Sequence, residues 1–328
     1  MSPKIVRLVV SMVWLLFMAL NCDAADKPIF GPRIDKGLIE SDLINEASGI
    51  ATSRKNLGVL WTHNDAGDPS RIYALNSQGE HLGVYTIDGV RARDWEDMAL
   101  GPGPLAGEHY LYIGDIGDNK AAKSLKFIYR VPEPVVDESQ PPADTIISGA
   151  EIITFQYPDG NRDAETLMID PSTRDIYVVS KEEINVRVYR APYPQPTTDT
   201  VILQPVATLD LQGAAFSKAK MVTAGDISIS GLEILIKTYT TIYYWRRVPA
   251  QNLWQAFDNK PVKVPYINEP QGEAIAFASD GMGYYTMSEE DGGRPAHLYF
   301  YPRLSSPPPK LNSRGKRVVP WATIKQER

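Results

Sequence analysis

The nonapeptide RDWEDMALG (residues 93–101) returns as RDAETLMID (residues 162–170), and both copies share the pattern RDxE. Three looser copies occur elsewhere: NEASGIATS from residue 45, VTAGDISIS from residue 222 and PQGEAIAFA from residue 270. Five related segments in one chain indicate a protein built from structural repeats. All five segments align on one apolar anchor residue, which is Ile50, Met98, Leu167, Ile227 or Ile275.

Each copy is followed by further short runs rich in tyrosine, isoleucine and valine. In the second repeat these runs are YLYIGDIGDN from residue 110, FIYRV from residue 127 and EIITFQY from residue 151. Such runs, separated by glycine, proline, asparagine and aspartate, are typical of β-strands joined by turns. Four antiparallel strands in a repeat of roughly 50 residues indicate the blade of a β-propeller. We therefore predict an all-β, single-domain propeller whose first strands line a central channel.

The spacing of the repeats predicts the number of blades. The residue two places before the anchor falls at positions 48, 96, 165, 225 and 273, and the two chain ends together leave enough residues to complete one blade. Five blades are favoured, and six is the alternative if the insertion VPEPVVDESQPPAD (residues 131–144) hides a degenerate blade. The last repeat has only three strands, so RIDKGLIESDLI (residues 33–44) is predicted to supply its fourth strand and close the ring.

The two ends of the chain differ in composition from the repeats. Lys4 and Arg7 precede an apolar run from residue 8 to residue 20, which is typical of a secretory signal and too short for a membrane span of about 20 residues. Cys22, the one cysteine, lies in this leader, so the protein is exported either without a thiol or, alternatively, with a lipidated N-terminal cysteine. The predicted organisation is a signal peptide (1–24), a propeller (25–304) and a proline-rich basic tail (305–328).

Charge and motif content exclude several function classes. The formal net charge is −6 and the sequence pI is about 5.4, whereas a nucleic-acid-binding protein normally presents a basic face. The sequence has no HExxH, CxxC or GxSxG motif and no phosphate-binding loop. We expect a monomer without a nucleic-acid partner, whose chemistry depends on the repeated acids.

Carboxylates recur two and four residues before the anchor. Residues two apart on a strand share a face, so these acids are predicted to meet at the channel mouth. Clustered carboxylates raise one another's pKa or recruit a hard cation, for which calcium is the simplest choice outside the cell. Alternatively, the acids cap strand ends and order channel water without a ligand. The predicted calcium ligands are Glu46, Asp94, Glu96, Asp163, Glu165 and Glu273.

Basic residues are predicted beside these acids. His63 ends the second strand of the first repeat, Lys181 and Lys237 fall at corresponding places in the third and fourth, and Arg93 and Arg162 begin the two RDxE copies. Such a mixed rim could clamp an anionic substrate, or it could be a set of structural ion pairs. In an enzyme, one glutamate would act as the base and the cations would stabilise developing charge. The candidate catalytic residues are Glu96, Glu165, His63, Lys181 and Arg162.

The segment DAETLMIDPSTRDIYVVSKEE (residues 163–183) resembles the calcium-dependent propeller phytases and the wider phytase-like esterases, which carry a D-x-E-G strand and an L-Y-I-A-x-E-E strand. The resemblance covers this one blade, and Thr166 stands where that family has glycine. It implies calcium contacts for Asp163, Glu165 and Glu182, and it implies six blades. More broadly, the ASGIA, HNDAGD, DWED and GDIGDN segments are similar to those of an uncharacterised family of secreted bacterial propellers, which supplies no activity.

Two classes of function follow from these patterns. The first is an exported, calcium-assisted hydrolase of phosphoesters or similar anionic esters, or a glycoside hydrolase that uses the same carboxylates as acid and base. The second is a non-catalytic, calcium-stabilised propeller that binds a ligand or a protein. In either class a small anionic or carbohydrate ligand is expected at the channel mouth. Propellers serve both roles, so the fold does not choose between them.

Overall fold

The computed structural model describes residues 27–308, except residues 138, 140, 182–183 and 212–216. The predicted signal peptide with Cys22, the implied calcium contact Glu182 and residues 309–328 of the predicted tail lie outside the described residues. The regular secondary structure of the described residues consists of β-strands and of two short 3-10 helices at Lys218–Lys220 and Leu253–Asp258. Neither helix is long or apolar enough to cross a bilayer.

The strands form five sheets, which are the blades of a β-propeller. The chain begins with β1 (Ile34–Leu38), and blade 1 follows with β2 (Ala47–Thr52), β3 (Val59–Asn64), β4 (Arg71–Asn76) and β5 (His81–Ile87). Blade 2 contains β6 (Trp95–Pro102), β7 (His109–Asp115) and β8 (Lys126–Pro132) and, after β9 (Ala143–Ile147), β10 (Glu151–Gln156).

Blade 3 contains β11 (Ala164–Ile169), β12 (Ile176–Ser180) and β13 (Val186–Ala191) and, after the short β14 (Val201–Ile202), β15 (Gln204–Leu209). Blade 4 contains β16 (Val222–Ile227), β17 (Glu233–Thr238), β18 (Ile242–Arg246) and β19 (Val262–Val264). Blade 5 contains β20 (Gly272–Phe277), β21 (Gly283–Ser288) and β22 (His297–Pro302). The prediction of an all-β, five-bladed propeller is confirmed.

The ring closes through the two ends of the chain. Strand β1 pairs antiparallel with β22, with Ile34 opposite Phe300, and so becomes the fourth strand of blade 5. The residues before β1 strengthen this closure, because Phe30 is buried and forms a bridge with Arg303. The guanidinium of Arg33 also lies 4.1 Å from the ring centre of Tyr299. The predicted closing strand is therefore confirmed.

The insertion that could have hidden a sixth blade instead extends blade 1. Strand β9 runs parallel to β5 on its outer edge, in the register Gly83 to Ala143 through Ile87 to Ile147. The buried carboxylate of Glu133 anchors the start of the insertion by accepting hydrogen bonds from Ser53 Oγ and, at 3.1 Å, from Trp61 Nε1. Strand β14, which follows β13 of blade 3 along the chain, extends blade 2 in the same way, by pairing parallel with the outer strand β10. The six-blade alternative is therefore wrong.

The hydrophobic core is divided among the interfaces between neighbouring blades. Five clusters of buried side chains are present in the described part of the chain, one for each interface. Between blades 2 and 3, for example, Tyr112 and Phe155 share a cluster with Leu167 and Val178. Each blade therefore buries both of its faces, and it can do so only between two neighbours.

The inner strands approach one another closely around the channel. They contact in the order β2, β6, β11, β16, β20 and back to β2. At Gly49 in β2 a methyl group would lie 2.7 Å from both Met98 N and His63 Nε2, so glycine is required by the close approach. Ser48 Oγ also donates to Glu96 O at 2.5 Å, which links β2 to β6. The side chains at one end of these five strands therefore lie close together around the channel.

Removing β1 tests the importance of ring closure. We expect a chain that begins at Asn45 to melt roughly 5 °C or more below one that begins at Lys27, because blade 5 loses a strand and buried Phe30 and Ile39 are lost. Calorimetry on the two proteins measures the difference. Midpoints within a degree or two of each other would show that closure lies elsewhere.

Candidate functional site

Every inner strand contains a β-bulge at the same place. In blade 2, Trp95 pairs with Asp115 and Asp97 pairs with Gly114, which leaves Glu96 as the extra residue. A bulge interrupts the alternation of side chains between the two faces of the strand, and it changes the direction of the side chain of the extra residue. The bulged residues of blades 1 to 5 are Ser48, Glu96, Glu165, Thr223 and Glu273.

This column corrects the sequence alignment of blade 4. The bulge shows that Thr223, and not Gly225, is the residue of blade 4 equivalent to the bulged glutamates of blades 2, 3 and 5. The anchor chosen from the sequence, Ile227, lies two residues too far along the strand. A two-residue shift preserves the alternation of apolar and polar side chains, so the hydrophobic pattern could not detect it.

The acids four residues before the anchor lie outside the strands. Asp94 and Asp163 immediately precede β6 and β11, and Glu46 precedes β2 and is exposed. The prediction that they share a strand face with the glutamates is therefore wrong, because the strands begin after them and the bulge intervenes. Two of the three, Asp94 and Asp163, nevertheless come close to Glu96.

A second column at the mouth follows the second strand of each blade. The first residue after that strand is Asp65, Ile116, Lys181, Tyr239 or Glu289 in blades 1 to 5. His63 and Lys237 belong to a different column, opposite the residue after the bulge, and both are completely buried. The predicted equivalence of Lys181 and Lys237 is thus wrong, and Tyr239 is the true counterpart of Lys181.

The two columns and the preceding acids bring together oxygen atoms from three blades. Carboxylate oxygens of Glu96, Asp163 and Glu165 lie within 4.8 Å of one another, and the same holds for Asp65, Asp94 and Glu96. We call these sets the inner triad and the outer triad. They share Glu96. Both RDxE glutamates, Glu96 and Glu165, therefore contribute to one site.

The inner triad is buried and incompletely hydrogen bonded. Glu165 Oε1 accepts a hydrogen bond from Lys181 Nζ, while Glu165 Oε2 is buried and has no hydrogen-bond partner among the described residues. Asp163 Oδ1 accepts the backbone N–H of Asp118 at 2.6 Å. The neighbouring Glu273 accepts the hydroxyl of Tyr239 at 2.5 Å. One oxygen of the Glu165 carboxyl group, a member of the inner triad, is thus buried without a hydrogen bond.

Burial and mutual repulsion alter the acidity of these groups. Burial raises the pKa of Glu96 well above its usual value, and Glu165 and Asp65 raise it further. Burial likewise raises the pKa of Glu165, although Lys181 opposes the change. Asp65 has its pKa raised to about 6, mainly by burial, and Glu289 to about 9 by burial and by Glu273. The site therefore resists carrying all of its negative charge without a counter-ion.

The outer triad is covered by the loop that follows β7. Lys123 Nζ contacts Asp94 Oδ2 at 2.5 Å and donates to Gly117 O at 3.0 Å. The loop is held by Asp118, whose carboxylate pairs with the buried Lys126 at 2.9 Å and accepts the N–H of Lys123 at 2.7 Å. This loop therefore delivers one ammonium group to the outer triad.

Three of the predicted rim cations are used elsewhere. Arg162 pairs with Asp159 at 3.1 Å, and Arg93 pairs with Asp115 at 3.0 Å. His63 is buried beside Trp95, with Nδ1 2.8 Å from Asn64 O, and burial lowers its pKa to about 4. Within the polar cluster that ends β3, it is Asp65 that joins the acids at the mouth.

Asp97 crosses the channel below the mouth. Its Oδ2 accepts the backbone N–H of Leu167 in β11 at 2.9 Å and that of Gly225 in β16 at 3.4 Å. Since β6 and β16 belong to non-adjacent blades, this side chain bridges the channel. Asp97 therefore links the inner strands of blades 2, 3 and 4.

Comparisons with known proteins identify no family for this chain and assign no role to the site. No family model matches the chain, and no curated protein matches it. Among solved structures, the β-propeller domain of Myceliophteria thermophila Cps50 (Swd1) is 11% identical, with a TM-score of 0.39, over 78% of this chain and 83% of that one. Neither the resemblance to phytases nor that to secreted bacterial propellers has support among these comparisons. Both stay predictions.

Replacing Gly117 tests the packing of Glu96. An alanine methyl group would lie 1.9 Å from Glu96 Oε1 and 2.8 Å from Asp94 Cγ, so Gly117→Ala must displace the Glu96 carboxylate. We expect the free energy of unfolding, measured with urea, to fall by roughly 1–3 kcal/mol. In a Glu96→Ala background the same substitution should cost less than half as much. An equal cost in both backgrounds would contradict the arrangement described.

Proposed function

We propose that this protein is an exported β-propeller that binds calcium at the channel mouth. Glu96, Asp163 and Glu165 would hold the ion, and Asp65 and Asp94 would extend the site through the shared Glu96. Export is proposed from the N-terminal sequence alone. Of the six ligands expected from the sequence, Glu46 belongs to neither triad, and Glu273 is hydrogen bonded to Tyr239.

The observation that carries the proposal is the buried, unpartnered Glu165 Oε2 within an oxygen-rich cluster. Calcium binds oxygen ligands at about 2.3–2.6 Å, so oxygens on opposite sides of the ion are separated by about 5 Å. In each triad, one carboxylate oxygen from each residue lies within 4.8 Å of the others, so a single ion could contact all three. A bound cation would also relieve the repulsion that raises the pKa of Glu96 and Glu165.

Charge balance favours a divalent ion. The inner triad offers three carboxylates and one nearby ammonium, that of Lys181. Two negative charges therefore remain when all three acids are ionised. A buried site of this kind is unfavourable unless the charge is neutralised. The carboxylate-only ligand set suits calcium better than the softer transition metals.

Calcium should stabilise the folded protein against heat. After treatment with a chelator, calcium at a hundredfold excess over its Kd should raise the free energy of unfolding by about 2.7 kcal/mol. For a domain of this size, that change corresponds to a rise of roughly 5–10 °C in the melting temperature. Glu165→Gln should abolish most of the rise, because it replaces the unpartnered carboxylate oxygen of a ligand.

The matched control is Glu108→Gln, which removes one negative charge from an exposed position in the β6–β7 turn. This variant should retain the full calcium-dependent rise. Calorimetry supplies the midpoints, and elemental analysis of the purified protein reports bound metal. If calcium shifts no midpoint and no metal is found, the acids only cap strands and the proposal fails.

Hydrolysis of an anionic ester is a second candidate function. The observation that favours it is the meeting of Glu96 and Glu165 in one cluster, with Lys181 beside Glu165 and Tyr239 beside Glu273. One glutamate could act as a base while the lysine and the bound ion position a negatively charged substrate.

Glutamine variants test this second function. Phosphoesters, carboxyl esters and acidic glycans are first screened with the wild-type protein in the presence of calcium. On any substrate that is turned over, Glu96→Gln and Glu165→Gln should each lower kcat/KM about 100-fold or more, while Glu108→Gln should not. Activity that survives both changes would remove these residues from the reaction. If no class is turned over, the non-catalytic calcium-stabilised propeller is the better description.

A further inference from the structure

Each of the two triads carries one lysine of the protein itself. Lys181 Nζ is paired with Glu165 in the inner triad, and Lys123 Nζ is paired with Asp94 in the outer triad. The side chains of Lys181 and Lys123 are 11% and 34% exposed, so the inner pair is the more deeply buried of the two. Neither lysine lies on an inner strand: Lys181 follows β12, and Lys123 lies in the loop between β7 and β8.

A lysine and a metal ion that contact the same carboxylate repel each other, which weakens the binding of the ion. An ammonium group beside Glu165 neutralises part of the charge that would attract the ion, and it repels any cation held a few ångströms away. In a buried site this repulsion is weakly screened. Cation binding therefore favours movement of the ammonium group away from the triad.

The local backbone permits such a movement. The N–H of Lys181 donates to Asp163 O at 3.1 Å, so the main chain is held against the inner strand at the first residue after β12. Its side chain is long, flexible and partly exposed, and it can turn towards solvent without disturbing this hydrogen bond. Lys123 has the same freedom, since its own N–H is held separately by Asp118.

We propose that Lys181 and Lys123 are tethered competitors of the metal ion, which offset part of the negative charge of the triads in the cation-free protein and leave them when a divalent cation binds. This inference rests on the proposed calcium site. Lys181 is expected to lower the calcium affinity more than Lys123 does, because its partner Glu165 is more buried than Asp94, the partner of Lys123. This competition also explains selectivity: sodium or potassium would replace one positive charge by another, whereas a divalent ion adds net charge to a site that lacks it.

Calcium affinity of lysine variants tests the proposal. Competition with a chelator of known affinity gives the Kd of each protein, and it does not require a stable cation-free form. Lys181→Met keeps the length of the side chain but removes its charge, and it should tighten calcium binding about tenfold or more. Lys123→Met should tighten binding by a smaller factor. Lys120→Met, an exposed control in the same loop, should change the Kd less than twofold.

Release of the ammonium groups can be measured directly in the wild-type protein. Amine acylation followed by mass spectrometry reports the reactivity of individual lysines. On addition of millimolar calcium, the reactivity of Lys181 and of Lys123 should rise several-fold, while that of Lys120 should stay constant. This measurement needs no substitution and is therefore unaffected by any loss of stability in Lys181→Met.

The outcomes separate this inference from the calcium proposal. If the wild-type protein binds calcium but Lys181→Met binds with the Kd of Lys120→Met or more weakly, the competition is overturned and the calcium site stands. Unchanged acylation of Lys181 on calcium binding would overturn it equally. If neither the wild-type protein nor any variant binds calcium, the proposed function itself is wrong and the inference falls with it.

Discussion

The structure depends on the mutual burial of the blades. Each sheet has two apolar faces, and the five hydrophobic clusters lie between blades. A blade between two neighbours is fully covered, whereas a blade at the end of an open row would expose one face. The ring must therefore close. Strand β1 closes it by pairing with β22, and no disulfide can assist, because the sequence contains a single cysteine.

Closure of the ring also creates the site. Five inner strands that converge on one axis carry their bulged residues to one end of the channel, and three of those residues are glutamates. Propeller geometry thus forces together groups that repel one another. The protein compensates with the ammonium groups of Lys181 and Lys123, with the hydroxyl of Tyr239, and with raised pKa values for the most buried acids. Strong packing elsewhere maintains this unfavourable concentration of charge.

The sequence predicted the architecture well because repeats leave a direct signal. Spacing of one aligned column predicted five blades, and the missing strand of the last repeat predicted the role of β1. The pairing of Glu96 with Glu165 followed from their equivalent places in two copies. Local details were harder: the bulge leaves no mark in an apolar pattern, and the two-residue slip at Thr223 preserves that pattern.

The errors at the site have the same physical origin. His63 was predicted to be a rim residue because histidine is not a residue that turns favour at the end of a strand. Its register places it opposite Gly49, and its ring lies against Trp95 of blade 2, inside the interface between the two blades. Asp65, two residues later, reaches the acids instead. Tyr239 and Glu289 were not among the candidate site residues for a related reason, since their column is defined by strand pairing and not by residue type.

The pairing of β1 with β22 has a consequence for the order in which the molecule forms. Strand β1 is synthesised before all five blades but pairs with β22 of the fifth, so the closing segment stays unpaired while the blades are made. During that interval a strand edge is open to wrong partners, which is a common route to aggregation. The segment IDKGL is well suited to the delay: Asp35 and Lys36 carry charge, and Gly37 lowers strand propensity. Its weakness as an independent strand protects the chain until its partner exists.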